Sequence, residues 1–223
     1  MDAQSPRLMQ ALSNRVRPSD ASYRQKLVER AAQLDDVIMM GLGDPDAPTP
    51  RHVVEAVTDG IAAGRVKYTH PAGMPELRQA IADYLARHYG LDYAASEVIV
   101  TAGTQEAVML CMLALVDPGD EIILPAPRFT SYDTAIQMLD GVVVPVQTRE
   151  EDGFALRPDA VEAAITDRTK AVVVVTPNNP TGAVTPPDAI RASAEICRRH
   201  DIVAISDEIY AALLFDGAEH LSM

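Results

Sequence analysis

Residues 170–182 constrain what this chain can fold into more than any other stretch. The run Ala171-Val172-Val173-Val174-Val175 breaks at once into Thr176-Pro177-Asn178-Asn179-Pro180-Thr181-Gly182. An unbroken series of β-branched residues suits a strand covered on both faces, as in the interior of a parallel sheet. The loop cannot prolong that strand, because proline lacks a ladder donor and fixes the backbone. Two amide side chains are thereby carried to the carboxyl end of a central strand, the edge at which open α/β sheets bind ligands.

From Ser96 onward, strand and helix patterns alternate. Short apolar runs at 98–101, 122–124, 142–146, 171–175 and 202–206 predict strands, and helical patterns at 105–116, 130–139, 158–165 and 186–200 lie between them. In the last helix Thr185 stands where a cap is wanted, Pro186 at the first helical position, and Asp188 at a capping-box-like spacing. Repeated βα units imply a parallel sheet with right-handed crossovers. The first third is mostly helix and loop. Helices are expected to start at Ser5-Pro6 and at Ser19-Asp20, the latter carrying Leu27, Ala31 and Leu34 at helical spacing. Others are expected at 51–63 and 75–89, with loops at 43–50 and 66–73 rich in proline or glycine.

Composition closes several routes. Acidic residues outnumber basic ones by 32 to 19, a formal charge of -13 with no basic run, so neither nucleic acid nor an anionic membrane is an expected partner. The longest apolar stretch, 108–116, is too short to span a bilayer. Asp2, Arg7 and Arg15 leave no signal-like apolar core at the start, so a cytoplasmic location is expected. Cys111 and Cys197 fall on apolar helical stripes and are expected as buried free thiols. None of His52, His70, His88, His200 and His220 has ligand spacing to another metal-binding side chain, and no metal site is expected. Gly-x-Ser-x-Gly and Walker patterns are absent, against hydrolase and NTPase readings.

Chemistry is then left to the strand ends. Thr101-Ala102-Gly103-Thr104-Gln105 joins a strand to a helix, and the free amides of a first helical turn attract anions, although an ordinary βα turn reads the same way. Asp207 follows the 202–206 strand; it could face a cation or simply cap a helix beginning near Glu208. Phe129, beyond another strand end, offers an aromatic face to that edge or a place in the core. An anion turn, an aromatic, an Asn loop and an Asp on successive strand ends are more specific together than apart.

At this point the chain resembles the class I/II pyridoxal-phosphate-dependent aminotransferases of the aspartate aminotransferase fold type. The blocks that carry the resemblance are Gly43-Asp44-Pro45-Asp46, Lys67-Tyr68-Thr69-His70-Pro71-Ala72-Gly73, Gly103-Thr104-Gln105-Glu106-Ala107, Asn179-Pro180-Thr181-Gly182 and Ser206-Asp207-Glu208-Ile209-Tyr210. The resemblance implies an α/β fold: a three-layer αβα large domain with a mostly parallel sheet over 51–223, incomplete, after an N-terminal arm and part of a small domain over 1–50. It also implies the cofactor pyridoxal 5'-phosphate. Asp207 would pair with the ring nitrogen, Phe129 would stack on the ring, and Asn179 and Tyr210 would bond its phenolic oxygen. Backbone amides at Thr104 and Gln105 would hold the phosphate, Tyr68 would reach the phosphate of a neighbouring subunit in a homodimer, and Gly43 would lie over the substrate carboxylate. The implied reaction moves an amino group between an amino acid and a 2-oxo acid.

The family also needs a lysine that condenses with the cofactor and moves the substrate proton. Lys26, Lys67 and Lys170 are the only lysines, and none falls in a matching block. No residue is therefore assigned as catalytic. The chain is expected to be the N-terminal part of a longer enzyme, destabilised and inactive alone, and prone to associate through open strand edges. Alternatives are a carbon-sulfur lyase of the same fold or a non-catalytic protein that binds the cofactor or a partner; the acidic charge and the brevity of residues 1–36 argue against a transcription regulator.

Overall fold

The computed structural model describes residues 10, 11, 13, 15, 21–38, 40, 43 and 46–223. They fall into two units, 1–75 and 76–223. In the first, helix α1 (Ala21–Ala31) ends before Leu34, and α2 (Arg51–Ala62) follows Pro50, whose fixed φ suits a helix entrance. Val53, Val54, Val57 and Ile61 give α2 an apolar face that stays exposed. A turn closes from Gly73 N–H to the His70 carbonyl at 2.8 Å. The expected starts at Ser5-Pro6 and Ser19-Asp20 lie outside the described residues.

The second unit is built on a four-stranded parallel sheet. Its strands are β1 (Glu121–Ala126), β2 (Val142–Gln147), β3 (Thr169–Val175) and β4 (Val203–Asp207), in the order β2-β1-β3-β4. The strand period of two divides the core into halves. Ile122, Leu124, Ala171, Val173 and Val175 pack on one face with Val108 and Met112 of α4 (Thr104–Leu115) and Tyr132, Ala135 and Ile136 of α5 (Ser131–Met138). On the other face Ile123, Val172 and Val174 meet Val161 of α6 (Pro158–Ala163) and Ile190 and Cys197 of α7 (Pro187–His200). The expected three-layer αβα architecture is what forms. Each fully buried valine of β3 contributes about 1.5–3 kcal/mol relative to exposure. Helix α3 (Pro75–Tyr89) precedes these layers.

Four expected features differ. Residues 98–101 form no strand: Val98 is extended, and its carbonyl accepts from Arg78 Nε at 2.8 Å, but no ladder partner lies beside it and Ile99 is 67% exposed. A β-prone triplet becomes a strand only where a neighbour supplies rungs. Cys111 is exposed while Cys197 is buried. Helix α4 is apolar nearly all round, so its sequence could not show that Val108 and Met112 face inward and Leu110, Cys111 and Leu113 outward. Thr185 does not cap α7, whose first residue is Pro187. Thr185 is instead buried, its N–H donated to the Thr176 hydroxyl at 3.0 Å. No helix starts near Glu208; the chain turns there.

The amino-terminal edge of the sheet carries a structural polar cluster. Buried Glu121 accepts from the Thr166 hydroxyl at 2.6 Å and from Arg168 Nη2 at 2.6 Å. The Thr166 hydrogen bond first, then Arg168, hold its carboxyl below the ordinary range against desolvation.

Between α5 and β2 the backbone comes close to the core. A Cβ on Gly141 would meet Val116 Cγ1 at 2.6 Å and Ile136 Cγ2 at 2.9 Å. Gly141→Ala is expected to destabilise the chain by about 1–3 kcal/mol through overpacking, read as a lowered urea midpoint with an unchanged slope.

Candidate functional site

Parallel strands put all their carboxyl ends on one edge, so the residues that follow β1, β3 and β4 meet there. Helix α4 adds its start to the same edge. It leads into β1 through residues 116–120 and therefore runs antiparallel to it, and twelve helical residues cover about 18 Å against about 20 Å for six strand residues. Its entrance at Gly103 has φ 85 and no side-chain cap. The first-turn amides of Thr104 and Gln105, which a helix cannot satisfy internally, are left available. Glu106 turns back to accept from the Ala102 N–H, and the Thr101 hydroxyl donates to the Gly103 carbonyl at 3.0 Å, which shapes the turn.

The loop after β3 is held by Asn178. This buried residue donates from Nδ2 to the Pro127 carbonyl at 3.2 Å and to the Thr181 hydroxyl at 2.8 Å, while its main chain exchanges bonds with Ala183 and Gly182 at 2.8 Å each. It ties the β3 loop to the β1 loop. Asn179, half-buried, is left facing Tyr210, with Nδ2 3.3 Å from the phenol oxygen. Of the two amides the sequence brought to this edge, one is a brace and the other is open.

Asp207 closes β4. Its carbonyl accepts from the Thr176 N–H at 3.0 Å, its Oδ1 from the Ile209 N–H at 3.2 Å, and its Oδ2 from the Tyr132 hydroxyl at 2.5 Å. The Ile209 bond is the local turn that the helix-cap reading mistook for a helix start. Phe129 is half-buried and packs against the core half that contains Tyr132, so its ring stands where the β1 loop meets the edge. Burial first, then Asp207, pushes the Tyr132 phenol far above its ordinary value, so it remains a donor.

Glu208 points away into a second cluster. It accepts from Ser206 Oγ at 2.5 Å, Ser222 Oγ at 2.8 Å, the Met223 N–H at 3.2 Å and His220 Nε2 at 3.0 Å. Desolvation works to raise its carboxyl, but these donors outweigh it and the net shift is downward.

Six expected residues, Thr104, Gln105, Phe129, Asn179, Asp207 and Tyr210, thus lie on or beside one edge of the second unit. Tyr68 and Gly43 belong to the first unit, and both are exposed. Lys170 stands at the start of β3, on the opposite edge, 3.6 Å from Asp120. Sequence reasoning missed Tyr132. It lies three residues after Phe129 on the inward face of α5 and reads as core; the signal was its hydroxyl, because a buried tyrosine generally finds a partner for its O–H.

The description "Aminotransferase class I and II" fits residues 35–222 of this chain. The chain belongs to that family. Among curated relatives, the aspartate/prephenate aminotransferase of Thermus thermophilus is 44% identical over 218 residues, 96% of this chain and 56% of its own length. The aspartate aminotransferase of Geobacillus stearothermophilus is 38% identical over 216 residues, 95% of this chain and 55% of its own. The Thermus thermophilus aspartate aminotransferase structure with maleate superposes with a TM-score of 0.86 at 43% identity, over 100% of this chain and 57% of that one. The Rhizobium meliloti aspartate aminotransferase gives 0.88 at 34% identity, over 95% of this chain and 54% of that one. The chain therefore spans about half the length of the class I and II relatives it matches.

The two neighbouring asparagines should separate in experiment. Asn178→Ala is expected to cost about 1–3 kcal/mol by removing a buried donor from two acceptors, whereas Asn179→Ala should stay within about 0.5 kcal/mol. Urea unfolding of both variants checks the contrast.

Proposed function

We propose that this chain is the cofactor-holding part of a pyridoxal-phosphate-dependent aminotransferase that moves an amino group between an amino acid and a 2-oxo acid. The observation that carries the reading is the pairing of Asn179 with Tyr210 at 3.3 Å, on the sheet edge where Asp207 ends the adjoining strand. A carboxylate, two neutral hydrogen-bonding groups, an aromatic face and uncapped helix amides match the charge pattern of that cofactor. Its pyridinium nitrogen wants an anion, its phenolic oxygen wants donors, and its phosphate wants a helix entrance.

When bound, the cofactor supplies an electron sink for the α-carbon of an amino acid. The residues do the rest. Asp207 holds a proton on the ring nitrogen, Asn179 and Tyr210 orient the phenolic oxygen, Phe129 covers one ring face, and Thr104 and Gln105 take the phosphate. Tyr68 serves the phosphate of a second subunit in a homodimer, and Gly43 borders the substrate carboxylate. Aspartate, in the names of the relatives above, is the first amino donor to try.

No described helix is long and apolar enough to cross a membrane, and the reading places the enzyme in the cytoplasm. The lysine that bonds the cofactor is not among Lys26, Lys67 and Lys170, so this chain alone binds without turning over.

Pyridoxal phosphate is expected to bind the chain reversibly, and Asp207→Asn and Asn179→Ala to weaken it about tenfold each, the worth of a hydrogen bond to a charged group. Absorbance titration followed by borohydride reduction and peptide mapping provides the check. Unchanged affinity in Asp207→Asn overturns the ring-nitrogen assignment; a stoichiometric pyridoxyl group on any of the three lysines overturns the claim that the acceptor is missing.

A further inference from the structure

On the cofactor reading just given, we propose that Glu208 is a positioning residue: its carboxylate, held by Ser206 and by residues 220–223, sets the turn that presents the Tyr210 phenol beside Asn179. The turn has little else to hold it. Ile209 is 59% exposed, Leu213 and Phe215 face solvent, and Ala211 is the one buried apolar residue from 208 to 215. A single buried methyl is a weak anchor. Backbone bonds close the turn from within, the Ala211 N–H to the Glu208 carbonyl at 2.9 Å and the Leu213 N–H to the Tyr210 carbonyl at 2.8 Å, and both are local.

The Glu208 side chain supplies the tie to the rest of the unit. Ser206 Oγ, Ser222 Oγ and the Met223 N–H donate to its Oε1 at 2.5, 2.8 and 3.2 Å, and His220 Nε2 lies 3.0 Å from Oε2. Every partner is able to donate, as an ionised carboxylate requires, because it only accepts. The donors on 220–223 are themselves anchored. Leu221 and Met223 pack against the core half that contains Ile123, Val172 and Val174, and the His220 ring stands edge-on to Tyr89 of α3 at 5.8 Å. A path of contacts thus runs from the buried valines of β3 through Glu208 to Tyr210.

An enclosed carboxylate gains little net stability from its donors, because desolvation offsets them. It does select the geometry in which all of its donors are met at once. Glu208 meets no group that the cofactor reading assigns to the ring. It acts on Tyr210 through two residues of turn.

The test uses the whole chain with Glu208→Gln, Ser222→Ala, Tyr210→Phe and the double variant Glu208→Gln/Tyr210→Phe. Glu208→Gln keeps the volume but sets a donor against His220 Nε2. The imidazole can answer only by moving its proton to Nδ1, a buried atom with no partner among the described residues, so a mismatch persists in either tautomer. Gly141→Ala, away from this edge, is the control for lost stability alone.

Without cofactor, NMR of the Asn179 side-chain amide reads the contact with Tyr210. Tyr210→Phe moves that signal, Glu208→Gln and Ser222→Ala are expected to move it in the same direction, and Gly141→Ala to leave it in place. In a pyridoxal phosphate titration, Glu208→Gln and Tyr210→Phe should each weaken binding about three- to tenfold, the worth of one hydrogen bond. The double variant should bind no more weakly than Tyr210→Phe alone, because the effect passes through the phenol. An Asn179 signal that ignores Glu208→Gln overturns the proposal. So does unchanged affinity in Glu208→Gln, or a double variant whose loss is the full product of the single losses; Glu208 then serves the fold and the cofactor reading stands. If Glu208→Gln fails to fold, Ser222→Ala decides by the same readouts. If the unaltered chain binds no pyridoxal phosphate, the cofactor reading itself falls, and the Asn179 signal separately decides whether Glu208 sets the turn.

Discussion

The bond from the Thr176 amide to the Asp207 carbonyl, 3.0 Å long, is the rung on which the site depends. It continues the β3–β4 ladder past Val175, whose partner in register is Asp207. With the ladder in this register, the residue after β3 and the last residue of β4 arrive at the same height. A slip of one residue would turn every side chain of β4 to the opposite face and carry the Asp207 carboxylate away from Tyr132. The register is strongly specified because β3 is buried from Ala171 to Val175 on both faces. The apolar core therefore places a carboxylate that contributes nothing to it.

Around that rung, adjacent polar residues divide the work of support and display. Asn178 is spent on Pro127 and Thr181, and Asn179 is left beside Tyr210. Glu208 is spent on Ser206, His220 and Ser222, and Asp207 is left on the open edge with Tyr132 behind it. In each pair the neighbouring side chains find partners in different parts of the unit. It also explains why a substitution at Asn178 should be felt as stability and at Asn179 as binding.

Much of this was legible in the sequence. The valine run located a central strand, its proline-rich loop the edge where Asn179 meets Tyr210, and the ends of the neighbouring strands the positions of Asp207 and Phe129. What stayed hidden depended on contacts distant in the chain. Tyr132 meets a residue 75 positions away, and nothing in its own helix distinguishes that from core packing. The strand expected at 98–101 failed because pairing is a property of two segments, and the exposure of Cys111 because α4 has apolar residues on every side. Thr185 looked like a cap, but the proline at position 187 fixes the helix start two residues later and leaves Thr185 to the interior.

The central claim is that one sheet edge holds one cofactor through residues from α4, β4 and the loops after β1 and β3. Amide NMR of the nitrogen-15-labelled chain during a pyridoxal phosphate titration tests it most directly. The account predicts that the backbone amides of Thr104 and Gln105 and the side-chain amide of Asn179 shift together and saturate at one concentration, as do amides next to Asp207. Shifts confined to other segments, or Thr104 and Asn179 responding at different concentrations, would contradict it.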